Sequence, residues 1–375
     1  MNRRVTVVGG GLAGSEAAWQ LARRGIEVLL LEMRPLRTTP AHTTEMLAEV
    51  VCSNSFGADS AASPAGILKN ELRRLDSLIL SCADESRVPA GKALAVDREI
   101  FSRKVTERLE SLPQVAVRRE ECVSLPEGPV IVATGPLTSP ALAAILQRQA
   151  GTEYLSFFDA VAPVVVEDSI DMSVAFRRGR WGQEEDYINC PFTRERYEAF
   201  WNALVAAERA LPHDFEDSPS WFEGCLPVEV MASRGIDTLR FGPLRPVGLP
   251  LPGTGEEAWA VVQLRQDNRE GTLFNLVGFQ TSLRWGEQER VFRMIPGLEN
   301  AEFARLGVMH RNIYVNAPAT LDKRLRFREG RTDLFLAGQI TGVEGYMEST
   351  AMGCVAALNA AALVDGVPFP EWPRA

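Results

Sequence analysis

The chain has 375 residues, of which 46% are hydrophobic and 24% charged, and a formal net charge of −9. This profile fits a globular protein of about two domains with a sizeable core. It excludes a surface coated in basic charge for nucleic acid, though not a local basic patch. No apolar run reaches the roughly 20 residues of a membrane span, and no signal-peptide pattern precedes the first predicted strand. The six cysteines are scattered, without CxxC or zinc-type spacing. A cytoplasmic chain with reduced thiols, no metal and no membrane association is the expectation.

The first predicted unit runs from Val5 to Glu32. Val5, Thr6, Val7 and Val8 read as a buried strand that breaks into Gly9-x-Gly11-x-x-Gly14. A helix follows with Ala17, Ala18, Leu21 and Ala22 on one face; Gly25 stops it, and Val28 to Leu31 form a second strand ending at Glu32. In such a unit Gly9 allows the tight turn, Gly11 lets the backbone approach a pyrophosphate, and Gly14 lets the helix pack close to the strand. The helix start, with Gly10, Leu12 and Ala13 around it, offers free N–H groups and a positive dipole end. Glu32 stands roughly 20 residues past the glycines, where an acid accepts from a ribose. Met33 and Arg34 complete the predicted cofactor-facing set of this unit.

Beyond Glu32 the chain is punctuated by Pro, Thr, Ser and Gly. Helices are predicted over Ile67–Leu80 and over Ala95–Leu112, the latter with Asp97 as N-cap. Short strands are predicted at Val115–Arg118 and Glu121–Leu125, and a buried one at Pro129–Ala133. That strand runs into Thr134–Gly135, and a strand ending in Ala-Thr-Gly is typical of two-dinucleotide-fold flavoproteins. From Leu155 to Arg290 aromatics and prolines become frequent. A helix over Glu195–Leu211 and strands over Val261–Leu264 and Leu276–Phe279 mark this stretch as an inserted domain with its own mixed sheet.

The last part returns to strand, glycine turn and small-residue helix, the helix predicted over Ser349–Leu363. Here Gly338 is followed by Gln339, so a neutral amide takes the place of an acid. The segments around Gly9, around Ala133, Thr134 and Gly135, and around Gly338, Gln339, Gly342, Gly345 and Tyr346 suit a long cofactor held at separated points. They favour FAD; no second complete GxGxxG appears, so NAD(P)H visits rather than resides. The expected fold class is α/β: an FAD-binding Rossmann-like domain of the two-dinucleotide-fold flavoprotein type (1–154 and 291–375) with an inserted α+β domain (155–290) on the substrate side.

The strings GGGLAGSEAAW, EMRPLRTTPAH, VVCSNSFG, VPAGKALAVDR, VATGPLTS, DYINCPFT, FEGCLPVEVMA, LVGFQTSLRW, VMHRNIYVNAP and AGQITGVEGYMEST span nearly the whole chain. Together they resemble the folate- and FAD-dependent tRNA (uracil-5-)-methyltransferases. The resemblance implies that a uracil C5–H of tRNA, at a T-loop uridine, becomes C5–CH₃. The carbon comes from methylenetetrahydrofolate, the electrons from reduced flavin, and NAD(P)H re-reduces the flavin; no protein partner is evident. Members of that family usually continue for some tens of residues past this end.

The same resemblance assigns catalytic thiols to Cys52 and Cys225. A thiolate adding at uracil C6 makes C5 an enolate carbon able to attack a one-carbon electrophile, and another group then removes the C5 proton. Cys225 is expected as that nucleophile or as partner of the flavin-borne carbon, and Cys52 in a supporting redox or acid–base role. His310 is expected to stack on the folate pterin, with Arg311, Asn312 and Tyr314 beside it. Glu344 and Tyr346 are expected to face the flavin or shuttle protons. Cys82, Cys122 and Cys354 read as core residues.

Two basic groupings, Arg177, Arg178 and Arg180 with Trp181, and Lys323, Arg324, Arg326, Arg328 and Arg331, suit either RNA phosphates or a solvated face. The same chemistry on ribosomal RNA, and an FAD-dependent oxidoreductase without RNA methylation, are the alternative functions.

Overall fold

The structure, a computed structural model, describes residues 3–151, 155–180, 185–210 and 226–371. Its first element is the strand β1, Arg4–Val8, whose Val5 and Val7 are fully buried. The chain turns at Gly9, enters helix α1, Leu12–Ala22, and returns as strand β2, Glu27–Glu32. β1 lies at the centre of a five-stranded parallel sheet. β2 and then Val115–Arg119 lie on one side of it, Val130–Val132 and then Leu334–Leu336 on the other. Parallel strands need crossovers, so chain segments far apart in sequence end side by side at one edge of this sheet.

The closing helix, Tyr346–Asp365, packs along α1. Small residues permit that approach: a Cβ on Gly353 would stand 2.1 Å from the Ala13 carbonyl oxygen. One core joins β1, α1, β2 and this helix with the helices Leu78–Glu85 and Arg98–Glu110. With 20 residues and a mean hydropathy of 1.3, the closing helix is long and apolar enough to cross a membrane. Polar residues such as Glu348, Ser349, Thr350 and Asn359 interrupt it, so no unbroken apolar run of that length stands in the sequence. It lies inside the core here, with 56% of its apolar window buried.

A second, six-stranded antiparallel sheet has the order Phe176–Arg177, Tyr187–Phe192, Ala260–Gln266, Leu273–Leu276, Val164–Val166, Phe303–Arg305. Its core includes Phe192, Tyr197, Phe200, Phe274, Phe279 and Phe292. The edge strand Phe303–Arg305 comes from beyond residue 290. So does Met309–Tyr314, which pairs antiparallel with Leu155–Ala160. Those two strands bring Asp159 and His310 to the cleft that Val8, at the end of β1, also lines.

Several predicted elements shift. The helix expected over Ile67–Leu80 is two helices, Pro64–Arg74 and Leu78–Glu85. Asp76 takes a left-handed backbone (φ 53°), and Ser77 caps the second helix by accepting from Leu80 N. Asp97 does cap its helix, accepting from Ile100 N at 2.8 Å. That helix therefore begins at Arg98, because Ala93–Val96 is a strand paired to Ser55–Ala58 and Arg87–Val88. Glu121–Leu125 forms no strand, since the parallel sheet already ends at Val115–Arg119. The helix expected over Glu195–Leu211 is Arg194–Ala206, and the strand expected at Leu276–Phe279 is Leu273–Leu276, after which Gly278 (φ 77°) turns the chain.

Candidate active site

The C-terminal ends of β1, β2, Val130–Val132 and Leu334–Leu336 open into one cleft of about 400 Å³. Gly9, Gly10, Gly11, Leu12, Ala13, Glu32, Met33, Arg34, Ala133, Thr134, Gly135, Gly338, Gln339, Gly345 and Tyr346 all line it. Gly14 stands behind the wall: a Cβ there would lie 1.8 Å from the Gly9 carbonyl oxygen, so only glycine lets α1 start this close to the turn. A Cβ on Gly11 would meet nothing within 4 Å, which leaves its backbone open to the cleft. Gly342 also stands off the cleft, against the Tyr314 ring, where a Cβ would come to 2.8 Å of Cδ2.

Glu32 is buried and fully engaged at this end. Oε2 accepts from Gly10 N at 2.8 Å, and Oε1 accepts from both the backbone N and the Nε of Arg34 at 3.0 Å. Burial alone would raise its pKa; the Arg34 guanidinium and these hydrogen bonds outweigh that and hold it below the usual carboxylate range. Arg34 in turn bonds Glu49 at 3.0 Å. The glycine turn, the free approach at Gly11 and an ionised acid at the strand end together form a cradle that fits a dinucleotide.

The other end of the cleft carries the reactive groups. Cys52 Sγ donates to Asp159 Oδ2 at 3.3 Å, and His310 Nε2 lies 3.9 Å from the same oxygen. Asp159 and His310 are direct register partners in the two-stranded ribbon, which fixes their separation. Both are buried, at 3% and 5% exposure. Burial lowers the His310 pKa against the pull of Asp159, so its imidazole is neutral at physiological pH. Its Nδ1 is enclosed without a hydrogen-bond partner among the described residues. One donor atom from each of Cys52, Asp159 and His310 falls within 4.8 Å of the others, a set able to ligate a metal. The thiol proton on the Cys52–Asp159 bond makes the set equally a proton-sharing group.

Tyr346 pins the thiol segment: its hydroxyl accepts from Cys52 N at 3.0 Å and Ser53 N at 3.2 Å, and its ring meets Phe56 edge-on at 5.5 Å. Burial pushes its pKa up. Glu344 faces the same space and accepts from Gln339 Nε2 at 3.1 and 3.2 Å. Burial, opposed by the Gln339 hydrogen bond and reinforced by the Asp159 charge, raises it to about 7. A carboxyl at that pKa exchanges its proton at neutral pH.

Of the expected folate-side residues, His310 and Glu344 line the cleft. Arg311, Asn312 and Tyr314 do not. Strand alternation turns Arg311 outward, where it donates to Ser156 Oγ at 3.1 Å. Asn312 is fully buried with both amide atoms unpartnered among the described residues. Cys225, and with it Trp181, lies outside the described residues. Cys82, Cys122 and Cys354 are buried, and so is Cys190, whose thiol burial pushes up. Asp159 escaped the sequence reading; its one signal is a lone acid in the apolar run around Phe158.

The fold and the cleft define an FAD-binding flavoprotein of the α/β class. A family model described as "GIDA: Glucose inhibited division protein A" matches residues 4–368. A methylenetetrahydrofolate--tRNA-(uracil-5-)-methyltransferase TrmFO from Moorella thermoacetica is 61% identical over 368 residues, 98% of this chain and 84% of that one. The equivalent protein from Rubrobacter xylanophilus is 58% identical over 373 residues, 99% and 83% of the two chains. The crystal structure of Aquifex aeolicus GidA (form II) superposes with a TM-score of 0.72 at 19% identity, covering 99% of this chain and 65% of that one. The chain belongs to the methylenetetrahydrofolate--tRNA-(uracil-5-)-methyltransferase family.

Proposed function

We propose that this protein methylates uracil C5 in tRNA, with methylenetetrahydrofolate as carbon donor, FAD as resident cofactor and NAD(P)H as the transient reductant, in the cytoplasm. Membership of the family supports the reaction. The observation that carries it to this chain is the Cys52–Asp159–His310 group at the end of a dinucleotide cradle.

The conversion of C5–H to C5–CH₃ consumes a methylene carbon, so two electrons must enter as that carbon becomes methyl, and the C5 proton must leave. Bound in the cradle, reduced FAD supplies those electrons. Gly9, Gly10 and Gly11 would hold its pyrophosphate, with Glu32 at its ribose. Gly338, Gln339, Gly345 and Tyr346 would line its far end.

The chain's own residues handle protons and position. Asp159 accepts the Cys52 S–H at Oδ2 and can take that proton as the sulfur reacts. Neutral His310, next along, orders Asp159 and presents a flat ring to the cleft. Glu344 takes or returns a proton near pH 7, which suits removal of the C5 proton. Cys225 would serve as the thiol for uracil C6 or as partner of the flavin-borne carbon, and the target base must leave its stack to reach either sulfur.

Transfer of labelled carbon from methylenetetrahydrofolate to undermodified tRNA, with the product base mapped, tests the reading. Label in 5-methyluridine of tRNA supports it. Label confined to ribosomal RNA, or flavin turnover without labelled RNA, overturns it in favour of the two alternatives.

A further inference from the structure

Two guanidinium groups bond the segment that carries Cys52, and a third, Arg305, lies close enough to feel the charges of Arg98 and Cys52. Arg98 donates through Nε to both Asp267 oxygens at 3.0 Å, and through Nη1 to the carbonyls of Val50 and Val51 at 2.7 and 3.2 Å. Arg265 donates to Asn54 Oδ1 at 2.9 Å and to Ser53 Oγ at 2.7 Å. Arg305, at the end of the edge strand Phe303–Arg305, has no side-chain hydrogen bond or ion pair among the described residues. Its Nε and Nη2 are enclosed without partners, and Arg98 Nη2 is enclosed and unpartnered too.

The charges do not balance. Among the described residues, Asp267 is the one carboxylate that pairs with any of the three. A guanidinium taken out of water without a partner is costly. The strain registers in Arg305, where burial and the neighbouring Arg98 push the pKa down to about 10. Unpartnered buried donors are uncommon enough in native proteins that each calls for a cause. Arg305 as a whole is half-buried and its Nη1 is not among the enclosed atoms, so that end of the guanidinium reaches accessible space.

Four arginines of the basic groupings singled out in the sequence are otherwise occupied. Arg177 bonds Glu167, Arg180 bonds Gln263 and two carbonyls, Arg326 bonds Asp322, and Arg331 bonds Asp333. Among the described residues, Arg305 and Arg98 are the arginines with enclosed nitrogens left unpartnered, and Arg98 bonds the segment next to Cys52.

We propose that Arg305, with the free Nη2 of Arg98, forms an oxyanion subsite that receives a backbone phosphate of the RNA beside Cys52. This rests on the RNA-methylating reading above. Guanidinium forks match phosphate oxygens in geometry and charge. A nucleotide that presents its base to Cys52 brings its own phosphate to the rim of the same cleft. The FAD pyrophosphate belongs to the glycine turn at the opposite end. In methylenetetrahydrofolate an aromatic ring separates the reacting carbon from the carboxylates, so those carboxylates fall away from Cys52 when the carbon is in place.

The test is tRNA binding to the FAD-loaded protein across a salt series, for the wild type, Arg305→Gln and Arg305→Lys. Arg305→Gln is expected to weaken binding about tenfold and to flatten the slope of log affinity against log salt by roughly one. Arg305→Lys, which keeps charge but loses the fork, is expected to fall between the two. The KM for methylenetetrahydrofolate stays unchanged. Arg305→Gln also raises the melting temperature of the RNA-free protein, because it removes an uncompensated charge; a merely structural arginine would lower it. Unchanged tRNA affinity and salt slope overturn the proposal, and so does a rise in folate KM with tRNA binding intact, which assigns the subsite to a folate carboxylate. A wild-type protein that binds no tRNA fails the underlying reading instead.

Discussion

Gly353→Ala probes the contact that joins the fold to the cofactor cleft. The added methyl would stand 2.1 Å from Ala13 O and 2.8 Å from Ala13 C, against an ordinary contact of 3.4–4 Å. Backbone cannot swing aside as a side chain can, so α1 and the closing helix must part by about 1 Å. Overpacking of this kind costs about 1–3 kcal/mol, and the better helix propensity of alanine returns about 1 kcal/mol. At the upper end of that range, which an immovable backbone demands, the net loss is about 2 kcal/mol and lowers the melting temperature by roughly 2–3 °C in a chain of this length. Ala13 lines the cleft and Gly338 packs on it, a Cβ there coming to 2.8 Å of the Ala13 methyl. Flavin retention therefore falls together with stability. Differential scanning calorimetry of the flavin-free protein and the visible absorbance of flavin after dialysis measure the two effects. Gly286→Ala is the control: a methyl there meets nothing within 4 Å, at the start of the helix Trp285–Phe292. If Gly353→Ala melts as high as that control and keeps its flavin, the close approach of the two helices does not matter as reasoned.

Asp159→Asn keeps the shape but removes the charge and the proton acceptor beside Cys52. Methyl transfer drops by about 10²-fold, and alkylation of Cys52 by iodoacetamide, followed by peptide mapping, becomes slower at neutral pH because the carboxylate that accepts the thiol proton is gone. Unchanged or faster alkylation would mean that Asp159 does not take the thiol proton. Glu344→Gln removes a group raised to about 7. The limb of the rate–pH profile near pH 7 disappears. Stability changes as well: the protonated Glu344 favours the folded state below its ordinary 4.5, and that advantage is lost as pH rises through about 7. Urea titrations of the variant therefore lose that downward slope, and an unaltered slope refutes the assignment. The depressed pKa of buried His310 acts in the other sense: its stability contribution is present above the ordinary 6.5 and drains away as pH falls through the lower folded value. His310→Gln is expected to flatten acid unfolding over that range, read by tryptophan fluorescence.

Much of the molecule was legible along the chain because the information is local. The strand, glycine turn, helix and second strand from Val5 to Glu32 read correctly from residue type and spacing alone. A β-branched run, a helix stop at Gly25 and an acid at a strand end each act within a few residues. Asp97 as a cap was equally local. The family itself was written in strings that cover nearly the whole length.

Other features depended on pairings the chain order does not reveal. Asp159 bonds a thiol 107 residues away, through a ribbon whose other strand follows the second sheet. Glu121–Leu125 carries the residue pattern of a strand but pairs with none among the described residues; its Cys122 packs in a core cluster with Val8 and Leu31 instead. The apolar closing helix is a core element because α1 covers it, which its composition could not say. Arg305 is one of many arginines in the sequence, and only folding shows which of them bond carboxylates and carbonyls and which stand unpaired. Local chemistry determined the cradle and the class of cofactor it suits. Tertiary structure decided which acid meets Cys52 and where uncompensated charge accumulates, because hydrogen bonds and burial are set by long-range packing rather than by neighbours in the chain.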